Sequence, residues 1–188
     1  MPVWLSEHEH AVVAAAADRL IPPGDGHPGA AAAGVADYVD QLLGAFTFDP
    51  PRIWAGGPFS GRAGGAASFT TFLSLSRLEE LAWRTRIEGS QGAPDRERNG
   101  PVIGWQERYR TGVATLGDDF CELDGDDQDA RLALDPDFRA LLYEHACEGA
   151  YCAPEYGGNR DGASWVAIQY EGDVQPRGYT DLEVSGRE

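Results

Sequence analysis

Ser6-Glu7-His8-Glu9 and Ser76-Arg77-Leu78-Glu79 each set a hydroxyl three residues ahead of a glutamate, and each opens a stretch of apolar residues at helical spacing. No other feature of the chain restricts its backbone as much. The serine oxygen can accept from the amide three residues on while the glutamate reaches back to the serine amide, so two of the unpaired donors of a helix start are satisfied together. After the first box, Val12, Val13, Ala16, Ala17 and Leu20 predict a helix over 7–21, which Pro22-Pro23-Gly24 stops by withdrawing donors. After the second, Leu78, Leu81, Ala82 and Ile87 carry a helix to Glu88.

The rest of the chain repeats this punctuation. Val35, Tyr38, Val39, Leu42 and Leu43 predict a helix over 34–43, with Gly44 as its stop. Pro101 suits the first turn of a helix to Leu116, on which Trp105 and Tyr109 share a core-facing side. A short helix is predicted over 126–134. Asp135-Pro136 then reads as N-cap and first residue of a helix carrying Phe138, Leu141, Leu142, His145 and Ala146 to Gly149. Beyond Pro154 the pattern is irregular: 155–159 reads as a turn, Ser164 to Tyr170 alternates as a short strand would, and the polar tail past Gly172 is predicted to loop over a surface. The expected fold is all-α: an irregular bundle of about five or six helices with long ordered loops and an irregular C-terminal segment, forming a single domain over residues 1–188.

One stretch fits no period. Over 45–71, Phe46, Phe48, Ile53, Trp54, Phe59 and Phe69 stand among glycines and prolines. A loop of this length inside a compact domain has a task of its own. Aromatic rings on irregular backbone either plug their own core or anchor on another protein. Trp54 and Phe59, with Tyr151, Tyr156 and Trp165 near the other end, are the residues expected at a partner interface.

Charge narrows the partners. The net charge of −16 and pI near 4.5 disfavour nucleic acid and anionic lipid, since both need Lys and Arg to meet phosphate. The alanine stretches are too short and interrupted to span a bilayer, so no direct membrane insertion is expected. The opening Met1-Pro2-Val3-Trp4-Leu5-Ser6-Glu7 shows no basic run and no twin arginine, which points to the cytoplasm, although a partner with its own signal would permit export. Cys121, Cys147 and Cys152 make an odd count, read as reduced thiols in that compartment.

Candidate chemistry is sparse. His8 and His10 are two apart and would point roughly 200° away from each other on a helix, so they cannot share a metal. Asp124-Gly125-Asp126-Asp127-Gln128-Asp129 resembles the start of a calcium loop, but Asp129 and Asp135 stand where that loop needs glycine and a bidentate glutamate; a carboxylate-rich helix start is the better reading. The glycines at 56–57 and 61–65 match no phosphate-binding motif. His145 and Glu148 lie three apart on one helix face and are read as a structural pair; the alternatives are an independent small enzyme using them as acid and base, or a metal-binding helical bundle. Cys121 has no evident activating neighbour, and no nucleophile elbow is present. No catalytic, cofactor-binding or metal-ligating residue is therefore assigned.

Several ordered segments carry a resemblance: Leu20-Ile21-Pro22, Pro28-Gly29-Ala30, Gly34-Val35-Ala36-Asp37-Tyr38-Val39-Asp40, and then the His145-Ala146-Cys147-Glu148-Gly149 helix end followed by the Pro154-Glu155-Tyr156-Gly157-Gly158-Asn159-Arg160-Asp161 turn and Trp165. Together they resemble the gluconate 2-dehydrogenase subunit 3 family, the small subunits of sugar, sugar-acid and alcohol dehydrogenases. The resemblance implies a helical, non-catalytic accessory subunit without a cofactor. It also implies a large partner of the glucose-methanol-choline oxidoreductase type that holds FAD and the active site, joined in some complexes by an electron-accepting cytochrome c subunit. The twin-arginine signal common in such small subunits is not seen here, so a cytoplasmic complex is the expectation.

Overall fold

The computed structural model describes residues 1–55 and 73–170. Among these, the regular structure consists of seven α-helices and short 3-10 turns: α1 (Glu7–Leu20), α2 (Val35–Leu43), α3 (Arg77–Glu88), α4 (Trp105–Leu116), α5 (Gly125–Leu132), α6 (Pro136–Tyr151) and α7 (Ala163–Ala167). The all-α architecture is as expected. Both capping boxes form: Ser6 Oγ accepts from the Glu9 amide at 3.2 Å, Ser76 Oγ accepts from the Glu79 amide at 3.3 Å, and each glutamate accepts from its serine amide. Asp124 caps α5 and Asp135 caps α6, with Pro136 in the first turn.

Two expectations are corrected. The alternation over Ser164–Tyr170 is not a strand: it begins with the one-turn helix α7, opened by Gly162 at φ +68. A lone alternating segment needs a neighbouring strand to pair with, and here the Ile168 and Tyr170 amides close locally onto the Ser164 and Trp165 carbonyls. The second concerns α4, which starts at Trp105 and not at Pro101. The residues between are spent on the connector after α3, where the Ser90 amide donates to the Val102 carbonyl and the Val102 amide donates to Ser90 Oγ. Gly104 lies so close to the Gly89 backbone that a side chain there would collide with it. The polar tail past Gly172 lies outside the described residues.

The core is one cluster. α1 packs on α2, α2 on α6, and α4 lies against α1, α5 and α6, with α3 against α4. Val12, Val13, Val39, Leu43, Leu116, Phe120 and Leu142 are all buried within it. Small residues permit the closest approach: the Phe138 ring of α6 sits directly on Gly112 of α4, leaving no room for a Cβ. Tyr109 is fully buried and meets Phe138 edge to face at 5.3 Å, so it and the partly buried Trp105 are core residues, as their shared face predicts. The chain start is tied down by Asp40, a buried carboxylate of α2 that accepts from the amides of Val3, Trp4 and Leu5 at 2.5, 2.8 and 2.8 Å. Three charge-assisted bonds replace the water this carboxylate gives up on burial.

Candidate partner interface

The separate segments of the resemblance meet in space. α6 ends at Tyr151, and the chain then turns through a short 3-10 stretch (Pro154–Tyr156) to Gly157 at φ +96 and Asn159 at φ +41. Asn159 is completely buried. Its backbone amide donates to the Gly149 carbonyl at 2.7 Å, its Nδ2 donates to the Cys152 carbonyl at 2.9 Å, and its Oδ1 accepts from the Ser164 amide at 3.1 Å. One asparagine thus joins the end of α6 to the start of α7. The glycines around it are required by crowding: a Cβ on Gly158 would collide with the Gly149 carbonyl, and one on Gly149 would press into the Tyr38 ring.

The turn also grips α2. The Arg160 amide donates to the Ala33 carbonyl at 2.9 Å, and its guanidinium lies 2.6 Å from Asp37 Oδ2. The other Asp37 oxygen lies 2.9 Å from His10 Nε2 of α1. Tyr38 Oη donates to Glu148 at 2.8 Å, and burial together with that carboxylate pushes the tyrosine pKa well up, so it remains a donor. Asp37, Tyr38 and Arg160 were not among the expected site residues. The only signal for them was their place in the resembling segments, and nothing in spacing links Asp37 and Tyr38 to residues more than a hundred positions away.

His145 and Glu148 do not form a pair. Glu148 is engaged by Tyr38, while His145 is fully buried with Nδ1 3.0 Å from the Tyr109 hydroxyl and its ring 4.5 Å from that of Trp105. They are three apart on α6, yet each points to a tyrosine on a different helix. Burial drives the His145 pKa down to about 4, which keeps the ring neutral. Among the described residues its Nε2 has no hydrogen-bond partner. Cys121, Cys147 and Cys152 are free thiols. Burial pushes Cys152 up to about 11 and raises Cys121 as well, the opposite of what a reactive thiolate requires. His8 lies near Asp118, on another part of the surface from the His10–Asp37 contact. No group of three or more His, Cys, Asp or Glu among the described residues is placed to hold a metal.

The five aromatic residues expected at an interface divide. Trp54 and Tyr156 come together, ring centroids 6.0 Å apart and planes inclined at 64°, on a cavity of ≈ 230 Å³ that Tyr38, Leu42, Ile53 and Trp83 also line. Arg52 and Glu155 give it charged edges. Its volume falls below the range of about 300–1,000 Å³ typical of small-molecule sites and suits one large side chain. Tyr151 and Trp165 lie together elsewhere, Trp165 Nε1 donating to the Tyr151 carbonyl at 2.8 Å. Phe59 lies outside the described residues, as do Phe69 and the glycines of 56–65. Within the described part of the aromatic loop, Phe46 and Phe48 are half-buried under Arg84 and Arg52, with guanidinium carbons 4.1 and 3.9 Å from the ring centroids. They are held within the chain and are not open anchors.

The described residues form an all-helical fold whose α2, α6 and α7 regions are stitched together by long-range polar contacts. The chain matches the family model Gluconate 2-dehydrogenase subunit 3 over residues 7–135, and it belongs to that family. No curated protein and no solved structure matches it. The matched stretch takes in α1 to α5 and the cap of α6; the Asn159 turn lies past its end. Among the described residues no helix is long and apolar enough to cross a membrane.

Proposed function

We propose that this chain is a non-catalytic small subunit that binds a large FAD-dependent oxidoreductase of the glucose-methanol-choline type and stabilises or matures it. The complex would act on sugars, sugar acids or related alcohols. The observation that carries the reading is the match of residues 7–135 to a dehydrogenase subunit family. The geometry of α6 supports it: His145 is neutral and tied to Tyr109, Glu148 is tied to Tyr38, and neither is placed to pass a proton to the other. In this reading FAD and the substrate pocket belong to the partner, electrons leave through it or through a further acceptor subunit, and the complex resides in the cytoplasm.

The test is to express a large flavoprotein of the glucose-methanol-choline type from the same genome with and without this chain. Soluble yield, bound flavin per polypeptide and dye-linked dehydrogenase activity are then compared. The expected result is a partner that is insoluble or poor in flavin by itself and is rescued by co-expression. A partner that is soluble, fully loaded with FAD and fully active when made without this chain overturns the proposal.

A further inference from the structure

Exposed large apolar side chains are not spread evenly over the described surface. Six of the thirteen fall between Tyr143 and Tyr170, on α6, α7 and the turn joining them. On α6, Tyr143, Cys147 and Tyr151 follow at intervals of four and form a stripe along one side. Tyr143 is 52% and Tyr151 38% exposed. At the far end of the stripe, Trp165 Nε1 bonds the Tyr151 carbonyl and so fixes α7 beside it. α7 and the residues after it then display Val166, Ile168 and Tyr170 at 77, 54 and 49% exposure, and Tyr170 packs edge to face on Trp165 at 5.1 Å. Exposed apolar side chains gathered on adjoining elements, which the bonds of Asn159 and Trp165 tie together, are what a protein-binding surface presents.

The charge around the patch selects the occupant. Carboxylates outnumber arginines five to two between 136 and 170. Arg160 is engaged by Asp37 and Arg139 is exposed one turn before Tyr143, whereas Glu144 and Asp161 stand exposed nearer the turn. A second copy of this chain would bring a charge of −16 against −16, and an anionic membrane would be repelled in the same way. The complementary surface is an apolar centre rimmed by Lys and Arg.

We propose that the α6–α7 face, centred on Tyr143, Tyr151, Val166, Ile168 and Tyr170, is where the chain docks on its large dehydrogenase subunit, through an apolar patch with a basic rim on that partner. This deepens the functional reading above and rests on it. The apolar side chains supply the burial, and the surrounding carboxylates orient the encounter and discourage self-association.

The test uses the full chain and the co-expressed flavoprotein. Binding is measured for the unaltered chain, for Val166→Lys with Ile168→Lys, for Tyr143→Lys, and for Leu78→Lys and Leu134→Lys as equally exposed positions away from the face. Circular dichroism and melting temperature establish that each variant is folded. The face variants are expected to weaken binding by at least about tenfold and the two controls by less than about twofold. Added salt should slow association of the unaltered chain. Amide exchange should become protected at 143–151 and 163–170 in the complex. Face variants that bind as well as the unaltered chain, or controls that weaken it equally, overturn the assignment of the face while leaving the functional reading intact. Dimerisation of this chain through the same residues also overturns it. If the unaltered chain does not bind the flavoprotein at all, the functional reading falls and the face falls with it.

Discussion

Arg160 and Asp37, 123 positions apart in the chain, approach to 2.6 Å where the last turn of the structure folds over α2. The pair is conspicuous but half exposed, at 56 and 39%, and an ion pair in that setting contributes about 0–1 kcal/mol. Asn159 beside it is invisible from solvent, and its side chain holds two backbone groups, the Cys152 carbonyl and the Ser164 amide. Arg160→Ala should therefore lower unfolding stability by less than about 1 kcal/mol, and Asn159→Ala by about 2–4 kcal/mol because buried partners are left unmet. Urea denaturation of the two variants side by side checks the order.

Crowding gives a second expectation. Gly158→Ala would drive a methyl group into the Gly149 carbonyl, a backbone atom that cannot swing aside. Gly24, also in a turn, has open space around its Cβ position and no positive φ. The first substitution should destabilise by at least about 2 kcal/mol, while Gly24→Ala should be neutral or stabilise by up to about 1 kcal/mol through the unfolded chain. Thermal melts separate these outcomes directly.

Asp40→Ala removes the shared acceptor of three amides at the chain start. The loss should be about 2–4 kcal/mol. Residues 1–6 should also become open to limited proteolysis while the helical circular dichroism of the folded variant persists. An unchanged cleavage pattern would mean that the segment is held by something other than this carboxylate.

His145 makes stability depend on pH. Its folded pKa of about 4 lies below the ordinary histidine value of 6.5. Between pH 4 and 6.5 the unfolded chain therefore binds the proton that the folded chain refuses. Stability then rises with pH across that window, is fully present above it, and is lost as pH falls toward 4. The contribution is about 3 kcal/mol from the linkage of one buried group. Urea midpoints taken at the two ends of the window should differ more for the unaltered protein than for His145→Gln, which keeps an acceptor for Tyr109 without the titration. Equal differences in both proteins would refute the assignment.

Local chemistry made the helices legible. Ser6 and Ser76 with their glutamates, and Asp135 with Pro136, fix their helix starts almost to the residue, because a cap is a short-range bargain between neighbours. Misplacements arose where a distant segment intervened. Pro101 would start a helix in isolation, but Ser90 holds Val102 in an extended turn. The alternation at 164–170 looks like a strand until Asn159 Oδ1 captures the Ser164 amide. The candidate site was legible only in part. Asn159 and its glycines could be picked as a signature, yet their contacts with Gln41, Tyr38 and Gly149 depend on tertiary approach that no window of sequence displays. His145 and Glu148 looked like a pair because they share a helix face; which tyrosine each would meet was set by α4 and α2.

The union of α2 with α6 and the Asn159 turn bears on where this protein may be cut. The family model's match stops at residue 135, whereas Leu141, Leu142, Ala146 and Ala150, which complete the common interior, come after it. A polypeptide ended at that border would present the naked side of α2 to water and leave Asp37 and Tyr38 without their counterparts from Arg160 and Glu148. A chain cut at residue 135 would therefore lack the parts that Glu148, Asn159 and Arg160 contribute, and one reaching through α7 keeps them.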